Sequence, residues 1–201
     1  MSEERKVLHG EIELRKVLPT RWHVLRRANC PVDDEGLYEH VETALDMLEK
    51  TAQPQWWAVD IDEVSVSGRD VTFAEIETRS KKLSAHLEGV KRLTIMVATI
   101  GPAPEQEAAK LTAKGRHLDG MMLDAAASAM TEQVLRIVHR RARKRADAKG
   151  TARIAPGYGD FGLEVQGPLL ALAECDCITV DPESHMMTPR KSSTGLVGWR
   201  E

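Results

Sequence analysis

Aromatic residues are scarce in this sequence: two phenylalanines, two tyrosines and four tryptophans make up 4% of 201 residues. That leaves no interleaved stacking platform of the kind single-stranded nucleic acid needs. Cysteine is scarcer, with only Cys30, Cys175 and Cys177. An odd, sparse set excludes a disulfide framework and fits a reducing cytoplasm. The pair in "ECDCI" has C-x-C spacing with no second pair nearby, which argues against zinc. Both thiols are expected to be buried on one face of a strand. No apolar run approaches the roughly 18 residues of a membrane helix. The opening "MSEERKVLHGEIELRK" has no apolar signal core, so a cytoplasmic protein without membrane attachment is expected. Positive charge is not in excess either, since a net charge of −3 argues against general nucleic-acid binding. The motifs G-x-S-x-G and H-E-x-x-H are missing and the seven histidines are scattered, so no catalytic set is expected.

What is present reads as a globular chain, 42% hydrophobic and 29% charged, forming a single domain over 1–201. Apolar residues at Leu37, Val41, Ala44, Leu45 and Leu48 predict a helix that ends before Pro54. "WWAVDIDEVSVSG" alternates like a strand with one wet face, and Ser67 to Asp70 suit a hairpin turn into "VTFAEI". "SKKLSAHLEGV" predicts a short helix ending near Gly89, and "RLTIMVATIG" a strand buried on both faces. Helices follow from about Pro104 to Lys114 and from about Leu118 to Asp147. Then come a helix containing "PLLALAE", a strand "CITV" and a strand-like "KSSTGLVGW". Irregular alternation with a hairpin predicts an α+β fold rather than a doubly wound parallel sheet.

Three stretches carry candidate chemistry. "RIVHRRARKRADAK" is a basic helix end, either complementing the helix dipole or docking an anionic partner. Earlier on the same helix, the small residues Ala125 to Ala129 allow close backbone approach, and Glu132, one turn on, can pair with an ammonium group. "ARIAPGYGDFG" offers Arg153 as a two-pronged carboxylate clamp, Tyr158 as a flat wall, and Gly157 and Gly159 where main chain can approach a ligand. On chemistry alone it is either a connecting loop or a cradle for an amino-acid-like or nucleoside-like ligand. "VATIGPAPE" runs from strand through a glycine turn to a helix but matches no phosphate-binding motif.

The pattern R-x-x-P-G-Y at Arg153 to Tyr158 resembles the signature of the activation domain of vitamin B12-dependent methionine synthase. "ESHMMTPRKSSTGLVGW" is similar to that domain's closing S-x-x-M-x-P-x-x-S-x-x-G segment. The stretch from "LTIMVATIG" to "RRARK" resembles its strand, turn and long helices, and "LPTRWHVLRRANCP" the N-terminal region of its short stand-alone relatives. The resemblance spans most of the chain in the same order. It implies a twisted antiparallel sheet flanked by helices, and binding of S-adenosylmethionine for reductive methylation of inactive cob(II)alamin. By the same resemblance Arg153 meets the methionyl carboxylate, Glu132 (in E-x-x-x-x-x-x-H register with His139) meets the ammonium group, Tyr158 lines the site, and Ala155, Pro156 and Gly157 give backbone contacts. No D-x-H-x-x-G cobalamin motif occurs, so the resemblance implies cobalamin supplied by a separate corrinoid-binding methyltransferase, such as a truncated methionine synthase, with flavodoxin or a reductase as electron donor. The chain would be a reactivation subunit, not catalytic alone; the alternative is a docking scaffold with weak or no S-adenosylmethionine binding. Transfer of the methyl group to another acceptor is disfavoured, because no glycine-rich Rossmann turn is present. Three departures stand: the sequence stops at Glu201 soon after "TGLVGW", an aspartate that contacts the ligand near the start of the family's domain has no counterpart, and "GDFGLEVQ" replaces a "PACPDH"-like stretch.

Overall fold

The computed structural model describes residues 5–200. Its central antiparallel sheet places β1 (Val7–Glu11), β2 (Gln55–Ile61), β6 (Arg92–Thr99), β10 (Ser192–Arg200) and β7 (Lys149–Gly150) side by side in that order. Between β2 and β6 the chain forms a second sheet from β3 (Val64–Ser67), β4 (Asp70–Phe73) and β5 (Ile76–Arg79). Thr179–Val180 (β8) and Met187–Thr188 (β9) make a two-stranded ribbon. The helices are α1 (Arg21–Arg27), α2 (Tyr38–Thr51), α3 (Lys81–Leu87), α4 (Ala103–Ala113), α5 (His117–Ala146) and α6 (Gln166–Leu172). This is the α+β fold expected from the sequence, antiparallel sheet and flanking helices included.

Strand alternation divides the core into two layers. Trp56, Ala58, Met96, Ala98, Val197 and Trp199 face α1, α2, α4 and α5. Trp57, Val59, Ile61, Leu93, Ile95, Val97 and Leu196 face the three-stranded sheet, α3 and α6. One expectation fails here: β2 has no wet face, and only Asp60 in it is exposed. The strand lies between β1 and β6 with a layer on each side. The alternation legible in the sequence belongs to β3, whose residues are half-buried and exposed in turn.

At 30 residues and roughly 45 Å, α5 spans the molecule. Its alanines at 125, 126, 127 and 129 are buried. Gly120 lets α4 approach: a Cβ there would lie 2.5 Å from Thr112 Oγ1 and 2.9 Å from the Ala108 carbonyl oxygen. Among the described residues no helix is long and apolar enough to cross a membrane.

The cysteine expectation holds for one thiol only. Cys175 and Cys177 lie in the turn after α6, ahead of the short β8, so strand alternation does not act on them. Glu174 is left-handed (φ 50), and the Cys175 N–H returns to the Leu170 carbonyl at 3.0 Å, closing a Schellman turn. That geometry buries Cys175 and leaves Cys177 exposed.

Candidate functional site

Arg153 reaches its position through β10. Ile154 bridges Leu196, exchanging hydrogen bonds of 3.0 and 2.7 Å, and joins Leu196 in one core layer. Arg153 then crosses the strand over Gly195, where a Cβ would lie 2.8 Å from Arg153 Cδ and 3.0 Å from Cγ. At the end of that reach, Nη2 donates to both carboxylate oxygens of Glu132 on α5, at 2.6 and 2.7 Å. The pair is only partly shielded, with side chains 22% and 43% exposed. One and two turns earlier on α5, Lys191 Nζ meets Ser128 Oγ at 2.8 Å and Asp124 Oδ1 at 2.7 Å. Asp124, Ser128 and Glu132 thus form one stripe, at successive four-residue steps, that receives two cations from the segments beside β10. His139 lies two turns further along. Burial, then the charges of Arg153 and Arg143, hold it below the ordinary imidazole value, so it adds no third positive charge at neutral pH.

The loop after Arg153 is fixed at both ends. Gly157 takes φ +91, open to glycine, and its N–H donates to the Phe161 carbonyl at 2.7 Å. Phe161 is fully buried. The Asp160 carboxylate accepts from the Lys82 N–H at 2.9 Å, the Lys81 N–H at 2.7 Å and the Ser80 hydroxyl at 2.8 Å. Those bonds hold its pKa down to about 2. Tyr158 stands out of the same turn, 59% exposed. Ala155 and Pro156 line a cavity of about 220 Å³ with Gln166, Arg190, Ser192 and Thr194.

Of the six residues singled out in the sequence, Arg153 and Glu132 meet directly, Ala155 and Pro156 line the cavity, and Gly157 and Tyr158 shape the turn beside it. Sequence reasoning missed Lys191, Gly195 and Asp160. The signal for Lys191 lay in the four-residue spacing of Asp124, Ser128 and Glu132. For Gly195 it was a glycine inside a strand pattern, a mark of close approach. Asp160 left no local signal, because its partners lie about 80 residues away in the chain.

A larger concavity lies elsewhere. A basin of about 1140 Å³ opens beside β1 and β3, lined in part by Arg5, Asp60, Glu75 and Arg145. Four of its charged side chains pair with one another, Arg5 with Glu75 at 2.7 Å and Arg145 with Asp60 at 2.8 and 2.9 Å. Volume and motif point to different places, because the R-x-x-P-G-Y turn lies at the smaller cavity, where Ala155 and Pro156 form part of the wall. The basic end of α5 is also partly structural, since Arg145 ties to Asp60 and the Arg141 guanidinium sits 5.0 Å over the Trp56 ring.

No protein-family model and no curated protein matches this chain significantly. A solved structure does: the crystal structure of the MetH reactivation domain bound to AdoHcy aligns with a TM-score of 0.73 at 18% identity. The alignment covers 98% of this chain and 79% of that one. The fold is that of the MetH reactivation domain. In this version of the reactivation fold, the R-x-x-P-G-Y turn sits at the outer side of β10, and α5 carries Glu132 up to it.

Proposed function

We propose that this chain binds S-adenosylmethionine and serves the reductive methylation of a cobalamin carried by a separate methyltransferase. The observation that carries the reading is the Arg153–Glu132 pair at the head of the R-x-x-P-G-Y turn. An amino-acid end presents a carboxylate and an ammonium group on one carbon. Inserted between Arg153 and Glu132, it replaces one ion pair by two at constant net charge, so no charge is left unpaired. Gly195 leaves room for the Arg153 stem over β10, and Gly157, at φ +91, shapes the exposed turn that carries Tyr158. The similar solved structure carries AdoHcy, which is S-adenosylmethionine without its methyl group. When bound, S-adenosylmethionine supplies an electrophilic sulfonium methyl group for a reduced cobalt centre on the partner. This chain's residues bind and orient the amino-acid end and hold the turn in place. The cavity of about 220 Å³ falls below the roughly 300–1,000 Å³ usual for drug-sized ligands. Part of the ligand therefore lies on the open surface, which the methyltransferase partner covers. An electron donor such as flavodoxin or a reductase completes the assembly.

One observation favours the competing reading of a scaffold that keeps the fold without the ligand: Arg153 and Glu132 already neutralise each other. Calorimetric titration of S-adenosylmethionine into wild type and Arg153→Ala separates the two. Loss of a charge-assisted contact costs about 1.5–3 kcal/mol, roughly ten- to a hundred-fold in affinity. No heat of binding by wild type, with or without a corrinoid methyltransferase, overturns the ligand-binding reading in favour of the scaffold.

A further inference from the structure

We infer that Cys175 and Cys177 form a reversible thiol–disulfide site, oxidised by hydrogen peroxide and reset by a small-molecule or protein dithiol. The two sulfurs lie 3.9 Å apart across one intervening residue. The turn that holds them is built rather than loose. The Schellman bond from Cys175 to Leu170 and the left-handed Glu174 fix the first cysteine. Cys177 is placed by a weak contact, 3.8 Å, from its thiol to Gln55 Oε1 at the start of β2. The division of roles follows from exposure, because Cys177 is open to solvent and Cys175 is buried. Burial first, and then the neighbouring thiol, push the Cys175 pKa up to about 12, so it remains a protonated thiol at neutral pH.

The chemistry runs in two balanced steps. The Cys177 thiolate attacks one oxygen of hydrogen peroxide, the O–O bond breaks, and the products are the Cys177 sulfenic acid and hydroxide. The Cys175 thiol then condenses with that sulfenic acid: the S–O bond breaks, the S–S bond forms, and one water leaves with the thiol proton. Sulfur is oxidised and peroxide oxygen is reduced, and a dithiol reductant reverses the change by exchange. In a reducing compartment such a pair is transient and responsive rather than structural. The site is independent of the S-adenosylmethionine reading, since none of its residues belongs to that constellation.

The test uses the whole folded chain treated with stoichiometric hydrogen peroxide, followed by thiol titration and intact mass. Two thiols should be lost and the mass should fall by two hydrogens, with an internal link in the peptide that holds both cysteines. Dithiothreitol should restore both thiols. Cys30→Ser should behave as wild type, whereas Cys177→Ser should leave Cys175 reduced under the same treatment. Stepwise oxygen addition at Cys177 with Cys175 still free, a disulfide-linked dimer, or no change in mass would each overturn the assignment.

Discussion

Folding stability without any ligand gives direct access to the Arg153–Glu132 contact. Arg153→Met keeps the aliphatic stem over Gly195 but removes the charge, and Glu132→Gln removes the opposing charge at equal size. Contacts of 2.6 and 2.7 Å from one nitrogen, with side chains 22% and 43% exposed, place the pair between two regimes. Fully exposed pairs couple by about 0.2–1 kcal/mol, and hydrogen bonds to charged groups contribute about 1.5–3 kcal/mol when shielded. Solvent screening of the glutamate brings the expected coupling to about 1 kcal/mol. In a chain of this size that corresponds to a Tm shift of roughly 2–4 °C. Urea unfolding of wild type, both single variants and the double variant closes the cycle. Repeating it in a Gly195→Ala background adds a geometric control, because the new Cβ would crowd Arg153 Cδ at 2.8 Å and turn the side chain away. The coupling should then vanish. Additive effects within about 0.3 kcal/mol in the wild-type background, or a coupling undiminished by Gly195→Ala, would mean that the two side chains are not coupled through this geometry.

Asp160→Asn should lower the thermal midpoint at neutral pH by loosening the turn from α3. The folded pKa of Asp160, about 2, is depressed below the ordinary carboxylate value of roughly 3.9. Its contribution is therefore complete above that value and lost as pH falls toward 2; the gap between wild type and variant should close over that window, and a gap unchanged with pH contradicts the clamp. Thr94→Val should cost about 1–3 kcal/mol in urea unfolding. It strips the acceptor from the buried Trp199 Nε1 at 2.9 Å and the hydroxyl donor from Asp60; a neutral result would remove the network from the account of stability. Gly120→Ala should destabilise by about 1–3 kcal/mol through overpacking against Ala108 and Thr112, where greater helix propensity alone would raise stability.

Much of the fold was legible because local signals and tertiary layers agreed. The apolar run of β6, the short helix α3 and the turn between β3 and β4 appear where the residues place them. Misreadings arose where a local pattern crossed an element boundary. "WWAVDIDEVSVSG" joins a doubly covered strand to a half-exposed one, so its average alternation describes neither. "ECDCI" obeys a helix-capping turn rather than a strand period. The site divides the same way. Arg153 and Tyr158 lie in one short motif and Glu132 on a recognisable helix, whereas Gly195 and Asp160 matter through neighbours distant in sequence.

The strand that delivers Arg153 is barely a strand. β7 pairs for two residues, Ile154 for one, and between them Thr151 holds Gly198, its N–H donating to the Gly198 carbonyl at 2.8 Å and its hydroxyl oxygen accepting the Gly198 N–H at 3.0 Å. β10, by contrast, runs alongside β6 over eight paired residues. Opening the outer segment breaks few backbone bonds and leaves the interior sheet closed, so its amides should exchange fast and those of β6 only on global unfolding. If S-adenosylmethionine binds as proposed, the guanidinium that would leave Glu132 for the ligand carboxylate is mounted on the part of the sheet with the least to lose by moving.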